Sequence, residues 1–246
     1  MGEHGKHRPL VRHAVFCLIF AWAALPAQAC RLALVLAIDV SNSVDEAEDQ
    51  LQRQGLASAL LAPDVQSAFF VTDDPVALLV YEWSGRYHQK VLVEWRDITR
   101  EQDLQDVSRN IANSTRGQRD FPTAMGYALG YAATRLRERP DCFAKTVDIA
   151  GDGKNNDGFG PAEAYNAFAF DNVTVNGLVV DASILETRDD LVAFFQDEVI
   201  RGPGSFTEVA DGFADYEDTM RRKLIRELLS QMIGDAAPPP SPNPRG

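Results

Sequence analysis

The chain has 246 residues, 45% of them hydrophobic, and a formal net charge of −12. That is enough apolar material and length for one large packed domain or two small ones. The acidity argues against nucleic acid and against an anionic membrane surface as partners, because both are gripped through a basic face.

In chain order, Met1 to His13 is polar and carries Lys6, Arg8 and Arg12; Ala14 to Leu25 is apolar; Pro26 and Ala27-Gln28-Ala29 follow. Basic, apolar, small-residue is the order of a secretory signal peptide, here residues 1–29. The apolar run is shorter than the ~20 residues a membrane span needs, so no stable membrane insertion is expected. Cleavage after Ala29 sends the mature protein to the periplasm or outside the cell. Three basic residues and one acidic residue leave with the peptide, taking the charge from −12 to −14. One histidine, His88, and two cysteines, Cys30 and Cys142, remain. This disfavours a histidine-rich zinc site and a Ser-His-Asp triad. Two cysteines in an oxidising compartment suggest a disulfide, the alternative being two buried free thiols.

Leu32 to Ile38 is a continuous apolar run, the pattern of a central parallel strand covered on both faces. After the polar loop Asp39 to Ser43, Val44 to Leu61 reads as a helix stopped by Pro63, with Ser43 and Glu46 as a capping box. Val76 to Trp83 and Gln89 to Trp95 read as strands. The short turn between them at Ser84-Gly85 implies an antiparallel hairpin, since a parallel crossover needs a dozen or more residues. Helices are expected over Glu101 to Asn113 and over Thr123 to Arg137, where Met125, Leu129, Ala132, Ala133 and Leu136 share one face. Thr146 to Ala150 reads as a strand, Pro161 to Phe170 as a short helix, Val173 to Val180 as a strand and Asp189 to Val199 as a helix. Phe206 to Ala210 suits a short edge strand. The last helix, Phe213 to Ile233, starts with acids and ends at Gly234. The phenylalanines at 69, 70, 168, 170, 194 and 195 are expected to pack, and His88 to be an exposed strand residue. Pro238 to Gly246 reads as the end of a Pro-rich disordered tail.

Strands alternating with helices imply an α/β fold: a doubly wound, mostly parallel sheet with one antiparallel edge strand and helices on both faces. One domain over residues 30–234 accounts for all of these elements, leaving 235–246 as the tail. Ligands in such sheets bind at the carboxyl ends of the strands, where the strand order reverses. The polar groups there are Asp39, Ser41 and Ser43 after the first strand, Thr123 before a helix, and Asp152 after the fourth strand. Two carboxylates and three hydroxyls form an oxygen-only set that suits a hard divalent cation: Mg²⁺, with Mn²⁺ sharing the same ligand preference. Each residue has a plainer reading. Ser43 and Thr123 can cap helices, and Asp152 can be a turn residue. A calcium-binding helix-loop-helix over Asp152 to Glu163 fails because Lys154 occupies a ligand position.

The stretch Asp39-Val40-Ser41-Asn42-Ser43 resembles the Asp-x-Ser-x-Ser signature of the von Willebrand factor A domain, with Thr123 and Asp152 matching that family's second and third loops. The family calls this a metal-ion-dependent adhesion site. More narrowly, the strand-flanking cysteines and Gly151-Asp152-Gly153-Lys154-Asn155-Asn156 resemble a group of bacterial exported A-domain proteins of unknown function. The resemblance implies Asp39, Ser41, Ser43, Thr123 and Asp152 as metal ligands, with Asn42, Lys154 and Asp157 at the rim. It makes the strands that follow Cys30 and Cys142 neighbours, so that a disulfide there fastens the sheet opposite the metal site. Two departures stand out: Phe121-Pro122 replaces the usual glycines before the threonine, and Gly151 stands where many A domains have threonine.

The function expected from this is an exported, cation-dependent module that binds an unknown protein partner through an acidic group. No catalytic constellation is apparent. The competing expectations are a metal-dependent hydrolase, and a structural scaffold with a vestigial metal site.

Overall fold

The computed structural model describes residues 1–2, 29–117 and 120–234. The expected tail over 235–246 and nearly all of the expected signal peptide over 1–29 lie outside the described residues.

The first strand, β1 (Cys30–Asp39), is buried at every position but Arg31. Its side chains alternate between two cores. Leu34, Leu36 and Ile38 enter one, while Ala33, Val35 and Ala37 enter the other. A strand covered on both faces has no polar side, which is why its sequence is a continuous apolar run. β1 pairs in parallel with β2 (Val76–Trp83) on one edge and with β4 (Cys142–Gly151) on the other. β3 (Gln89–Ile98) forms the expected antiparallel hairpin with β2. β5 (Val173–Val180) and β6 (Thr207–Ala210) extend the sheet in parallel, giving the order β3-β2-β1-β4-β5-β6. The strand order therefore reverses at β1 and β4.

One face is covered by α1 (Glu46–Leu61), α2 (Pro63–Phe69), α3 (Glu101–Ala112) and α7 (Tyr216–Gly234). The other is covered by α4 (Met125–Leu136), α5 (Pro161–Ala167) and α6 (Arg188–Phe194). Among the described residues no helix is long and apolar enough to cross a membrane. Cys30 and Cys142 stand opposite each other in register and form a disulfide at the amino ends of β1 and β4.

Several local expectations are corrected. The N-cap of α1 is Asp45, not Ser43: Asp45 Oδ1 accepts from Glu48 N and Glu48 Oε2 accepts from Asp45 N, both at 2.8 Å. Pro63 ends α1 and also opens the unexpected helix α2, because proline suits the first helical position. The helix expected over Asp189 to Val199 closes in a π turn, Phe195–Val199. His88 is not an exposed strand residue. It sits in the β2–β3 turn, with its side chain largely buried and Nε2 at 3.3 Å from Glu82 Oε1.

A charged cluster lies inside the core under α7. Lys223 is fully buried, with Nζ at 2.8 Å from Asp148 on β4 and 2.6 Å from Glu227. Only the Glu227 contact is aligned as a hydrogen bond. Asn176 on β5 donates to Glu227 Oε1 at 2.8 Å.

Candidate metal centre

Asp39 is the last residue of β1, and Asp152 follows the last residue of β4, so the two carboxylates stand side by side at the carboxyl end of the sheet. Asp39 Oδ1 accepts from the Ser41 backbone N–H at 2.7 Å. Its other oxygen, Oδ2, is buried and has no hydrogen-bond partner among the described residues. A Cβ on Gly151 would lie 3.2 Å from that oxygen, so glycine leaves the carboxylate room that threonine would take.

Three hydroxyls connect the loops. Thr123 Oγ1 donates to Ser41 Oγ at 3.2 Å, Ser41 Oγ lies 3.1 Å from Ser43 Oγ, and Ser43 Oγ donates to Asp152 Oδ1 at 2.7 Å. Neither Ser43 nor Thr123 caps a helix. Asp45 caps α1, and α4 has no side-chain cap. All five side chains named from the sequence are thus brought together, with Asp39, Ser41, Thr123 and Asp152 almost wholly buried.

The supporting residues were not foreseen. Arg116 donates to the carbonyls of Val40 and Ser41 at 2.6 and 2.7 Å and also to that of Val44, which fixes the loop carrying Ser41 and Ser43. Gln52 donates to the Asp39 carbonyl at 2.7 Å. Asn156 Oδ1 accepts from Thr123 N at 2.8 Å, and Asn156 N donates to Thr123 O at 2.9 Å. This tie holds Thr123 in place despite the substituted Phe121-Pro122 loop. The asparagines announced themselves in the Gly-Asp-Gly-x-Asn-Asn stretch. Arg116 and Gln52 act on backbone carbonyls, a target that leaves no spacing in the sequence.

A cavity of about 390 Å³ opens over Ser43, Thr123 and Asp152. Asn42 lines it; Lys154 and Asp157 do not. Asp157 instead pairs with Arg86 at 2.7 Å, beside a separate pocket lined by Tyr87, His88 and Phe121. Beside the disulfide, Asp141 adjoins the two sulfurs, but those are bonded to each other and offer no thiolate.

Burial, and then the charge of Asp152, hold the Asp39 carboxyl well above the ordinary carboxylate range, with the Ser41 hydrogen bonds and Arg116 opposing. Burial likewise raises Asp152; the Ser43 hydroxyl opposes this, and the charges of Glu48 and Glu186 add to it. Two buried carboxylates that resist ionisation, one with an orphan oxygen, call for an added positive charge. Hydroxyls and carboxylates alone suit a hard ion, so the donor set fits a divalent cation.

The fold is that of a von Willebrand factor A domain. The chain is similar to the A domain from Catenulispora acidiphila, with TM-score 0.54 and 16% identity over 81% of this chain and 43% of that one. It is also similar to proximal thread matrix protein 1 from the mussel byssus in a form "with zinc occupied MIDAS motif", with TM-score 0.57 and 15% identity over 81% of this chain and 48% of that one. It spans about half the length of these two chains. An aerotolerance-related membrane protein from Bacteroides fragilis matches at TM-score 0.52 and 15% identity, over 78% of this chain and 98% of its own. Among curated proteins none matches. The chain belongs to the family described as "Protein of unknown function (DUF1194)", which it matches over residues 29–232.

Proposed function

We propose that this chain is an exported binding module that captures a protein partner through a divalent cation, Mg²⁺ or its analogue Mn²⁺, held by Asp39, Ser41, Ser43, Thr123 and Asp152. The observation that carries the reading is the buried, unpartnered Oδ2 of Asp39 beside Asp152 and three linked hydroxyls. When bound, the ion supplies a positive charge with an open coordination position for an outside carboxylate. The chain itself does the rest. The Ser41 N–H orients Asp39, Arg116 fixes the loop, and neutral hydroxyls leave the site with only two negative ligands. The zinc-occupied motif named for the mussel protein supports a divalent ion at this place in the fold. Export through a cleaved peptide over residues 1–29, with the domain over 30–234 and a tail over 235–246, completes the reading.

Binding is favoured over turnover because, among the described residues, no lysine, arginine or histidine lines the cavity to activate a hydroxyl as a nucleophile, and Ser43 and Ser183 donate instead to the carboxylates of Asp152 and Glu186. The test is calorimetric titration of the mature protein with Mg²⁺ and Mn²⁺ beside Asp39→Asn. Saturable one-site binding is expected in the wild type and none in the variant. The variant should be at least as stable as the wild type in chelator, because a buried unpaired carboxylate is replaced by a neutral amide. A wild type that takes up neither ion at ~10 mM would sink the proposal, since such an affinity would be too weak for a working site.

A further inference from the structure

The walls of the cavity carry information about the partner. Asp45 flanks it from the N-cap of α1 and Glu48 from that helix's first turn, and Glu186 faces it from the loop after β5. These three carboxylates form no ion pair with a basic side chain among the described residues. In the proposed loaded site, the two charges of the ion are offset by Asp39 and Asp152. The three rim charges then remain, and any incoming carboxylate must pass them. An acidic cluster on the partner would be repelled, whereas an acid accompanied by cations would be drawn in.

The second feature is apolar. Ile184 and Leu185 line the same cavity and are 97% and 83% exposed. A hydrogen-bonded turn holds them out: Ser183 Oγ accepts from the backbone N–H groups of Leu185 and Glu186, both at 3.2 Å, and donates to Glu186 Oε2. Two adjacent large apolar side chains at a polar rim are a contact surface awaiting cover.

Resting on the metal-dependent reading above, we propose that the partner presents a single acidic residue flanked by lysine or arginine, with a large apolar side chain next to that group. The acid completes the ion, the flanking cations meet Asp45, Glu48 and Glu186, and the apolar side chain covers Ile184 and Leu185. Charge complementarity selects this chemistry over an acidic peptide.

Three fluorescent hexapeptides with one aspartate test this by anisotropy on the mature protein in Mg²⁺. The first has lysine on both sides of the aspartate and leucine next. The second has glutamate on both sides and the same leucine. The third keeps the lysines and replaces leucine by serine. The first should bind at least about tenfold tighter than the second at low salt and about threefold or more tighter than the third, with the charge preference shrinking as salt rises. In the triple variant Asp45→Asn, Glu48→Gln, Glu186→Gln the lysine preference should fall below about threefold; these amides keep the helix cap and the loop acceptor. Equal affinity of the lysine and glutamate peptides overturns the inference, as does a preference that survives in the triple variant. If calorimetry shows the ion bound but no peptide binds at ~1 mM, the partner chemistry is wrong and the metal site stands. A lysine preference that persists in chelator keeps the rim and overturns the cation-dependent reading, and absence of both ion and peptide binding overturns the two together.

Discussion

Replacing Asp148 by asparagine should flatten the pH dependence of stability. Asp148 faces Lys223 and Glu227 from α7, and the buried Tyr216 hydroxyl lies within reach of its charge. Burial, and then the charge of Glu227, push its carboxyl up to about 7 against the opposing pull of Lys223. A folded-state value above the unfolded one means that the folded chain holds the proton more tightly. The stability this group contributes is therefore full below the ordinary carboxylate value and is lost as pH rises through about 7. Integrated from pH 5 to pH 8, the loss is about 2–3 kcal/mol. Asp148→Asn keeps the shape and removes the proton. Urea denaturation of both proteins in chelator at pH 5, 6, 7 and 8 reads the protonation of Asp148 together with its coupled neighbour Glu227, because Asp39 and Asp152 titrate alike in each. The stability difference should shift in the variant's favour by about 2–3 kcal/mol across that range. A difference constant to within about 0.5 kcal/mol would show that Asp148 stays ionised throughout, with Lys223 outweighing burial.

Arg116→Ala removes the guanidinium that holds three loop carbonyls, and should cost about 2–3 kcal/mol of stability and about tenfold in Mg²⁺ affinity. Urea denaturation and calorimetry read the two effects; unchanged affinity would mean the loop keeps its shape unaided. Cys30→Ser with Cys142→Ser opens a link between residues separated by 112 positions and should cost about 4–5 kcal/mol. Because the link lies at the other end of the strands, Mg²⁺ affinity should hold within about threefold, and a larger change would refute that separation.

The residues that could be read and those that could not differ in where their partners lie. β2 and β5 were placed residue for residue from the sequence because strands buried on both faces are largely apolar, here interrupted only by Glu82 in β2 and by Thr174 and Asn176 in β5, and they stop where turn residues begin. The polar loops after β1 and β4 were legible for the same reason, since each begins where an apolar run ends. Asp148, Lys223 and Glu227 gave no such signal. Lys223 and Glu227, four apart on a helix, have the spacing of a solvated surface pair, and only the sheet beneath makes them a buried one. Ser43 shows the difficulty most sharply. Ser43 with Glu46 and Asp45 with Glu48 both satisfy the capping pattern, two residues apart, and nothing local decides between them. The choice is made by Asp152, 109 residues away, which takes the Ser43 hydroxyl. With Asp45 serving the helix, Ser43 is free to face the site. The cap misread from the sequence and the gathering of hydroxyls around the two carboxylates are thus consequences of one hydrogen bond.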